Sequence, residues 1–248
     1  MKVKILEKRG SAIVFLLEDA TPAFANALRR IMISEVPTLA IESIDVNDNG
    51  SVLFDEVIAH RLGLVPLVFN PKKVGPEDKV MFALDKIGPC MVYSGDLKSS
   101  EKDVKPVDSG ILIVELLPEQ ALKLEATARI GTGKEHAKWQ AANASYQYYP
   151  ELEIIDSAKA DKYLSSKKEL FTPKGKGYSL ADPFKLDVYK KCEEECDGIK
   201  ITTDDTKFLF KVESISGRDA EDIISTAVEI LEGKATEFKK QLVEVLKA

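Results

Sequence analysis

The chain is poor in the side chains on which most enzyme chemistry depends: 248 residues hold three cysteines, two histidines and one tryptophan. Cys90, Cys192 and Cys196 make no even-numbered disulfide framework and suit a reducing, cytoplasmic setting. Cys192 and Cys196 flank Glu193-Glu194-Glu195. A zinc or iron–sulfur site wants about four thiolate or imidazole ligands, commonly in CxxC pairs, and carboxylates are poor neighbours for thiolates. Two solvent-facing or half-buried thiols are therefore expected, with no metal and no cofactor. His60 and His136 stand far apart, and neither has a serine or cysteine beside it in a nucleophile setting. No acid pair can be singled out by spacing, so no catalytic residue is assigned.

Positive charge is also short. Thirty-five basic against 41 acidic residues leave a net charge of -6, the wrong sign for holding phosphate backbones. Lysines at 167–168 and at 174 and 176 do not offset this, and autonomous DNA binding is not expected. Long apolar runs are missing too. The longest, Ala12 to Leu17, falls far short of the roughly 20 residues that cross a bilayer, so no membrane segment is expected. Met1 to Gly10 alternates charged and apolar residues without a signal-type core and is expected to remain in the mature protein.

What is present is a core: 44% of the residues are apolar. Residues 2–18 read as a hairpin turning at Lys8-Arg9-Gly10-Ser11. Thr21-Pro22, a capping hydroxyl followed by proline at the first helical position, opens a helix that stops before Pro37. Phe24, Leu28, Ile31 and Met32 make its apolar stripe, with Asn26, Arg29, Arg30 and Ser34 on the flanks. Leu39 to Val46 reads as a strand ending in the turn signal Asn47-Asp48-Asn49-Gly50, with a domain boundary near 47. Asp55-Glu56 open a short helix whose C-cap is expected at Gly63 with positive φ. Strands follow at Val80–Leu84, Ile111–Leu117 and Leu122–Ile130, the last with strict alternation of apolar even positions. The pattern weakens over 156–197, and order returns with a strand at Phe208–Val212. A helix from Asp219 to about Lys247 would span roughly 40 Å. Its apolar residues Ile223, Ala227, Ile230, Leu231, Phe238, Leu242, Val245 and Leu246 exceed one stripe, which suggests a partner. Gly233 suggests a bend or a close approach.

Gly131-Thr132-Gly133-Lys134-Glu135 invites a phosphate-loop reading and fails it. The first glycine of that spacing would fall on Ala128, and Glu135 stands where magnesium coordination needs a hydroxyl. A glycine-rich turn leaving the preceding strand remains.

Three segments together resemble the alpha-like subunit family of RNA polymerases: the archaeal D-type subunits, their eukaryotic equivalents and the bacterial alpha N-terminal domain. They are Asn26-Ala27-Leu28-Arg29-Arg30 with Ile31 to Pro37; Asp55-Glu56-Val57-Ile58-Ala59-His60-Arg61-Leu62-Gly63-Leu64-Val65-Pro66-Leu67; and Gly133-Lys134-Glu135-His136-Ala137-Lys138-Trp139. Tyr148-Tyr149-Pro150-Glu151 and Phe208 to Ser214 extend the likeness. The resemblance implies an α+β fold: a discontinuous two-layer dimerisation domain, residues 1–46 plus 200–248, with long helices on an antiparallel sheet and a mostly β insert at 47–199. Within the insert, 156–197 corresponds to a ferredoxin-like region that holds an iron–sulfur cluster in some relatives, and here the cluster cysteines are missing. The resemblance also implies a non-catalytic assembly subunit pairing with the small subunit L through Phe24, Leu28, Ile31, Phe238, Leu242 and Val245. The second-largest polymerase subunit would meet Arg29 and Arg30, and the small zinc-binding subunits N and P would dock nearby. A bacterial-style homodimer, a stand-alone metal or iron–sulfur protein and an autonomous nucleic-acid binder are the alternatives.

Overall fold

The computed structural model describes residues 1–175 and 177–247. Its elements begin with strands β1 (Lys2–Arg9) and β2 (Ala12–Glu18), helix α1 (Pro22–Ser34), strand β3 (Thr38–Asn49) and helix α2 (Asp55–Gly63). Six strands follow: β4 (Leu67–Val68), β5 (Lys79–Ile87), β6 (Cys90–Tyr93), β7 (Lys98–Ser99), β8 (Lys105–Pro106) and β9 (Leu112–Leu116). Then come β10 (Ala121–Gly131), β11 (Ala142–Ile154), α3 (Ser157–Ser166), β12 (Phe171–Lys174), β13 (Gly177–Leu180), α4 (Leu186–Glu195), β14 (Ile199–Ser214) and α5 (Ala220–Lys247). The chain is α+β with antiparallel sheets. It divides into two compact units, each discontinuous in sequence.

The first unit comprises Met1–Arg9, Ile13–Ala27 and Ser145–Lys211. A sheet of order β1-β2-β14-β11 gathers its strands. The hairpin turns at Gly10, where φ is +52° and glycine carries no Cβ penalty. Ile13 to Leu17 is buried along its whole length, and Phe15 stacks on Phe210 with ring centroids 4.8 Å apart. Phe208 meets Tyr146 edge-on at 5.5 Å. The start of α1 is closed by Thr21, whose Oγ1 accepts the Phe24 N–H at 3.3 Å, as its capping position anticipates.

The stretch 156–197, weakly patterned in sequence, contributes to a small core with the start of β14. Ala160, Leu164, Phe171, Tyr189, Cys192, Cys196, Ile199 and Ile201 pack together. The Asp156 carboxylate accepts the Ala158 and Lys159 N–H groups at the start of α3. The Tyr189 hydroxyl donates to the Leu170 carbonyl at 3.2 Å and accepts the Asp182 N–H at 3.1 Å. The expectation of solvent-facing or half-buried thiols is corrected here. Cys192 is 2% exposed and Cys196 9%, because both lie on the inner face of the α4 end and serve as small apolar side chains.

The second unit comprises Gly10–Ala12, Leu28–Ala144 and Val212–Ala248. Its sheet runs β3-β10-β5-β7. Leu124 stands opposite Val46 on one side and Leu84 on the other, and the even positions Leu122, Leu124, Ala126 and Ala128 are all buried. Ile58 and Leu62 of α2 join this core.

Two local expectations are revised. β3 does not stop at Asn47 but pairs with β10 through Asn49 opposite Leu122. The polar Asn47-Asp48-Asn49 is tolerated because β3 is an edge strand. The turn begins at Asn49, whose Oδ1 accepts the Ser51 N–H and whose Nδ2 donates to the Leu53 carbonyl. Gly63 is the last helical residue rather than a positive-φ cap; Leu64 closes α2 at φ -92°. β3 lies wholly within the second unit.

Candidate subunit interface

The glycine-rich turn lies where three segments of the second unit meet. Gly133 sits against the end of α1: a Cβ there would stand 2.6 Å from the Ile33 carbonyl oxygen. The Lys134 N–H donates to the Ser34 carbonyl at 2.8 Å, closing one of the orphan acceptors of that helix end. Gly131 lies under the Trp139 ring, where a Cβ would approach within 2.6 Å. Trp139 is 3% exposed and donates from Nε1 to the Arg129 carbonyl at 3.2 Å. Its ring carries the Arg129 guanidinium at 4.4 Å and the Lys138 ammonium at 4.3 Å. Gly63 of α2 faces the Ile41 carbonyl and the Lys138 side chain.

The turn is poorly suited to cradle a phosphate, because four of its amides are already engaged. Thr132 N–H donates to Glu135, Lys134 N–H to Ser34, and Glu135 and His136 N–H groups to the Thr132 carbonyl. His136 is exposed; its Nδ1 accepts the Lys138 N–H at 3.1 Å.

Arg129 stands between two carboxylates, pairing with Glu42 across the strands and with Glu135 at 3.2 Å. The hydrogen bond from Arg129 holds the Glu42 carboxyl below its ordinary value of 4.5. The Thr132 N–H, then Arg129, lower that of Glu135. Burial lowers the Lys138 ammonium. Depressed carboxylates contribute stability above the unfolded-state pKa and lose it as pH falls through the folded one. Stability is therefore expected to drop on acidification below about pH 4.5, and Glu42→Gln is expected to lower stability at neutral pH while making that acid fall shallower. Urea midpoints of both proteins across that range check this; parallel acid limbs would show that the pair contributes nothing.

Arg61 of α2 donates from Nη1 to the Ile113 carbonyl at 2.7 Å, tying the helix to β9. Asp55 accepts the Asn49 Nδ2 at 2.6 Å, while Glu56 and His60 are exposed. Phe54, Val57 and Leu64 leave apolar surface beside them, 77%, 38% and 53% exposed. The sequence does not single out these three, because a short helix gives too few turns to read a stripe.

Arg218 carries no sequence signal either. It is 8% exposed, and every nitrogen of its guanidinium is engaged: Nε and Nη2 donate to Asp222 at 2.8 and 2.5 Å, Nη1 to the Pro37 carbonyl at 3.1 Å, and Nη2 to Thr226 Oγ1 at 2.7 Å. It pins the first turns of α5 to the connection after α1. Lys234, further along α5, pairs with Glu35. A concavity of ≈ 1070 Å³ beside this clamp is lined by Pro37, Phe69, Asn70, Lys72, Arg218 and Glu229 among others, a mixture without a nucleophile–base pair.

The expected partner-facing residues separate into two groups. Leu28 and Ile31 are each 4% exposed and belong to the chain's own core; Phe24 is half-buried. Leu28 and Ile31 are thus covered within this chain, while Phe24 keeps part of its side chain open. Phe238, Leu242 and Val245 are 68%, 46% and 73% exposed. Every residue from 232 to 246 is exposed, and Gly233 has nothing within 4 Å of a Cβ, so it marks no close approach. Arg29 is half-buried and Arg30 exposed on the α1 flank. Among the described residues no three His, Cys, Asp or Glu side chains group as metal ligands would. No helix among the described residues is long and apolar enough to cross a membrane.

A mixed sheet-and-helix body whose last helix runs out bare and apolar is the architecture of a pairing domain. The RNA polymerase Rpb3/Rpb11 dimerisation domain family matches residues 14–235, and the chain belongs to it. Within that family it is 39% identical to the DNA-directed RNA polymerase subunit Rpo3 of Pyrococcus furiosus, over 98% of this chain and 97% of that protein. It is 38% identical to Rpo3 of Thermococcus kodakarensis over 98% of each, and 36% identical to Rpo3 of Pyrobaculum islandicum over 96% of this chain and 93% of that one.

Proposed function

We propose that this chain is a non-catalytic, alpha-like assembly subunit of a cytoplasmic DNA-directed RNA polymerase, the counterpart of the archaeal D-type subunits. It pairs with the small subunit L, and the pair nucleates binding of the second-largest subunit, with N and P docking nearby. The dimerisation domain of this reading is residues 1–46 with 200–248, the rest being an insert. The bare apolar end of α5 in a chain of the dimerisation family carries the reading, since exposed Phe238, Leu242 and Val245 form the kind of patch that marks an interface. The second-largest subunit meets the exposed Arg30, whose guanidinium fork suits carboxylates and backbone carbonyls.

Co-expression with L is expected to give a one-to-one complex by light scattering, and a well-behaved monomer indifferent to L would sink the reading. Arg30→Ala is expected to leave that complex intact while weakening capture of the second-largest subunit severalfold; unchanged capture would remove Arg30 from the interface. The stand-alone metal-protein alternative is not favoured, because Cys192 and Cys196 are packed into an apolar core and no third ligand groups with them among the described residues.

A further inference from the structure

The exposed end of α5 carries a stricter order than a general apolar face. Val228, Leu231, Ala235, Phe238, Leu242 and Val245 recur at intervals of 3, 4, 3, 4 and 3. That is the a/d spacing of a two-helix seam, with a period of 3.5 residues. Val228 is 44% exposed, Ala235 is exposed and Leu231 half-buried, so the seam is open along its length together with the three residues named above. The positions turned away from it are Glu229, Gly233, Thr236, Glu237, Lys240 and Glu244, with Ile230 and Val243 the apolar exceptions.

The seam fits itself. Turned end for end about a point between Ala235 and Phe238, it meets a second copy in the layers Ala235 with Phe238, Leu231 with Leu242 and Val228 with Val245, each occurring twice. Small faces large at the centre, which fills the space evenly. A parallel pairing would set Ala235 on Ala235 and Phe238 on Phe238, leaving a void beside an overpacked layer. The flanking charges point the same way. Antiparallel helices bring equivalent flanks together, placing Glu232 beside Lys239 of the second copy, twice; both are exposed here. Parallel helices would place Lys234 beside Lys239 of the second copy, two like charges. Lys234 already pairs with Glu35 of its own chain, so that flank is turned toward the body while the Glu232 and Lys239 flank stays open.

We infer that α5 pairs antiparallel with α5 of a second copy of this chain when the small partner subunit is absent. Two and a half heptads bury less than the roughly 1,200 Å² of a standard interface, so the pairing is weak and reversible. On the polymerase-subunit reading above, the same seam then passes to the small subunit, and self-pairing covers Phe238, Leu242 and Val245 until that subunit arrives.

Light scattering of the full chain from low to several hundred micromolar is expected to show a monomer–dimer equilibrium. Lys239→Glu is expected to weaken it about fivefold to tenfold, since each exposed pair is individually weak and two are reversed at once. Glu232→Lys should do the same, and the double exchange should restore the original affinity. A parallel seam gives the opposite sign, because Lys239→Glu would relieve the clash with Lys234 and tighten the dimer. A monomer at every concentration, tightening by Lys239→Glu, or failure of the double exchange to restore pairing overturns the inference. Circular dichroism of each variant confirms that these exposed positions leave the fold intact. If the charge exchanges behave as expected but the small subunit fails to displace the second copy, self-pairing stands and the polymerase reading fails. If the chain stays monomeric yet binds the small subunit, the reverse holds.

Discussion

Trp139→Ala is expected to remove about 3–5 kcal/mol of stability, the usual cost of deleting a buried tryptophan. The size follows from how much converges on one ring. It is almost wholly buried, lies over Gly131, carries two cationic groups and holds the Arg129 carbonyl through Nε1. Gly131→Ala attacks the same contact from below and is expected to cost about 1–3 kcal/mol by overpacking. Because the new methyl group would enter the space the indole leaves, the double variant should be less unstable than the sum of the two singles. Denaturant midpoints at constant slope test this. A Trp139→Ala loss under about 1 kcal/mol would show that the turn is not a structural keystone.

That expectation changes the meaning of the third signature segment. The amides of the glycine-rich turn at Thr132, Lys134, Glu135 and His136 are spent within the fold, and the turn clasps the end of α1 to the β3–β10 edge. Gly133 is needed because backbone passes under backbone at Ile33, and Lys134 contributes an N–H rather than its charge. His136 and Lys138 serve the same local structure, the one accepting the N–H of the other. What the segment positions is α1, and with it the exposed Arg30.

Much of this is legible in the sequence where a period is long or a local rule is strong. β10 alternates over nine residues, Leu122 to Ile130, so its buried face can be read directly. Thr21-Pro22 marks its helix start, and Gly10 its hairpin, by rules that involve only neighbours. The readings that change depend on partners distant in sequence. Asn47 to Asn49 looks like a turn to any local rule, yet the β10 strand, more than 70 positions on, keeps it extended to Asn49. Cys192 and Cys196 sit on and just after a helix of ten residues, too short for its inner face to show in the pattern, and their burial is set by Phe171 and Tyr189. Arg218 with Asp222 reads as an ordinary surface pair at i and i+4; only the Pro37 carbonyl, 181 positions away, makes it a buried clamp. The long helix shows its surplus of apolar surface in the sequence. Which of its residues are spare does not show there, because Ile223 and Ala227 are satisfied internally while Phe238 and Leu242 are not.

That division yields the second large effect. On the proposed reading, Phe238→Asp combined with Leu242→Asp is expected to weaken pairing with the small subunit by about 4 kcal/mol, roughly 1,000-fold, if each is a hot spot of about 2 kcal/mol and the two add. The chain alone should unfold at an almost unchanged denaturant concentration, since both side chains are largely exposed and their loss opens no cavity. Leu28→Ala and Ile31→Ala should behave the other way round. Each is buried within the chain, so each is expected to cost about 2–5 kcal/mol of stability, and partner binding should suffer only as far as the folded fraction falls. Measuring both quantities on both pairs separates a residue that makes the interface from one that supports it. If the aspartate pair binds the small subunit as tightly as the parent, the end of α5 is not the interface. If Leu28→Ala lowers affinity without lowering stability, the partner reaches the inner stripe of α1 through a rearrangement of the free chain.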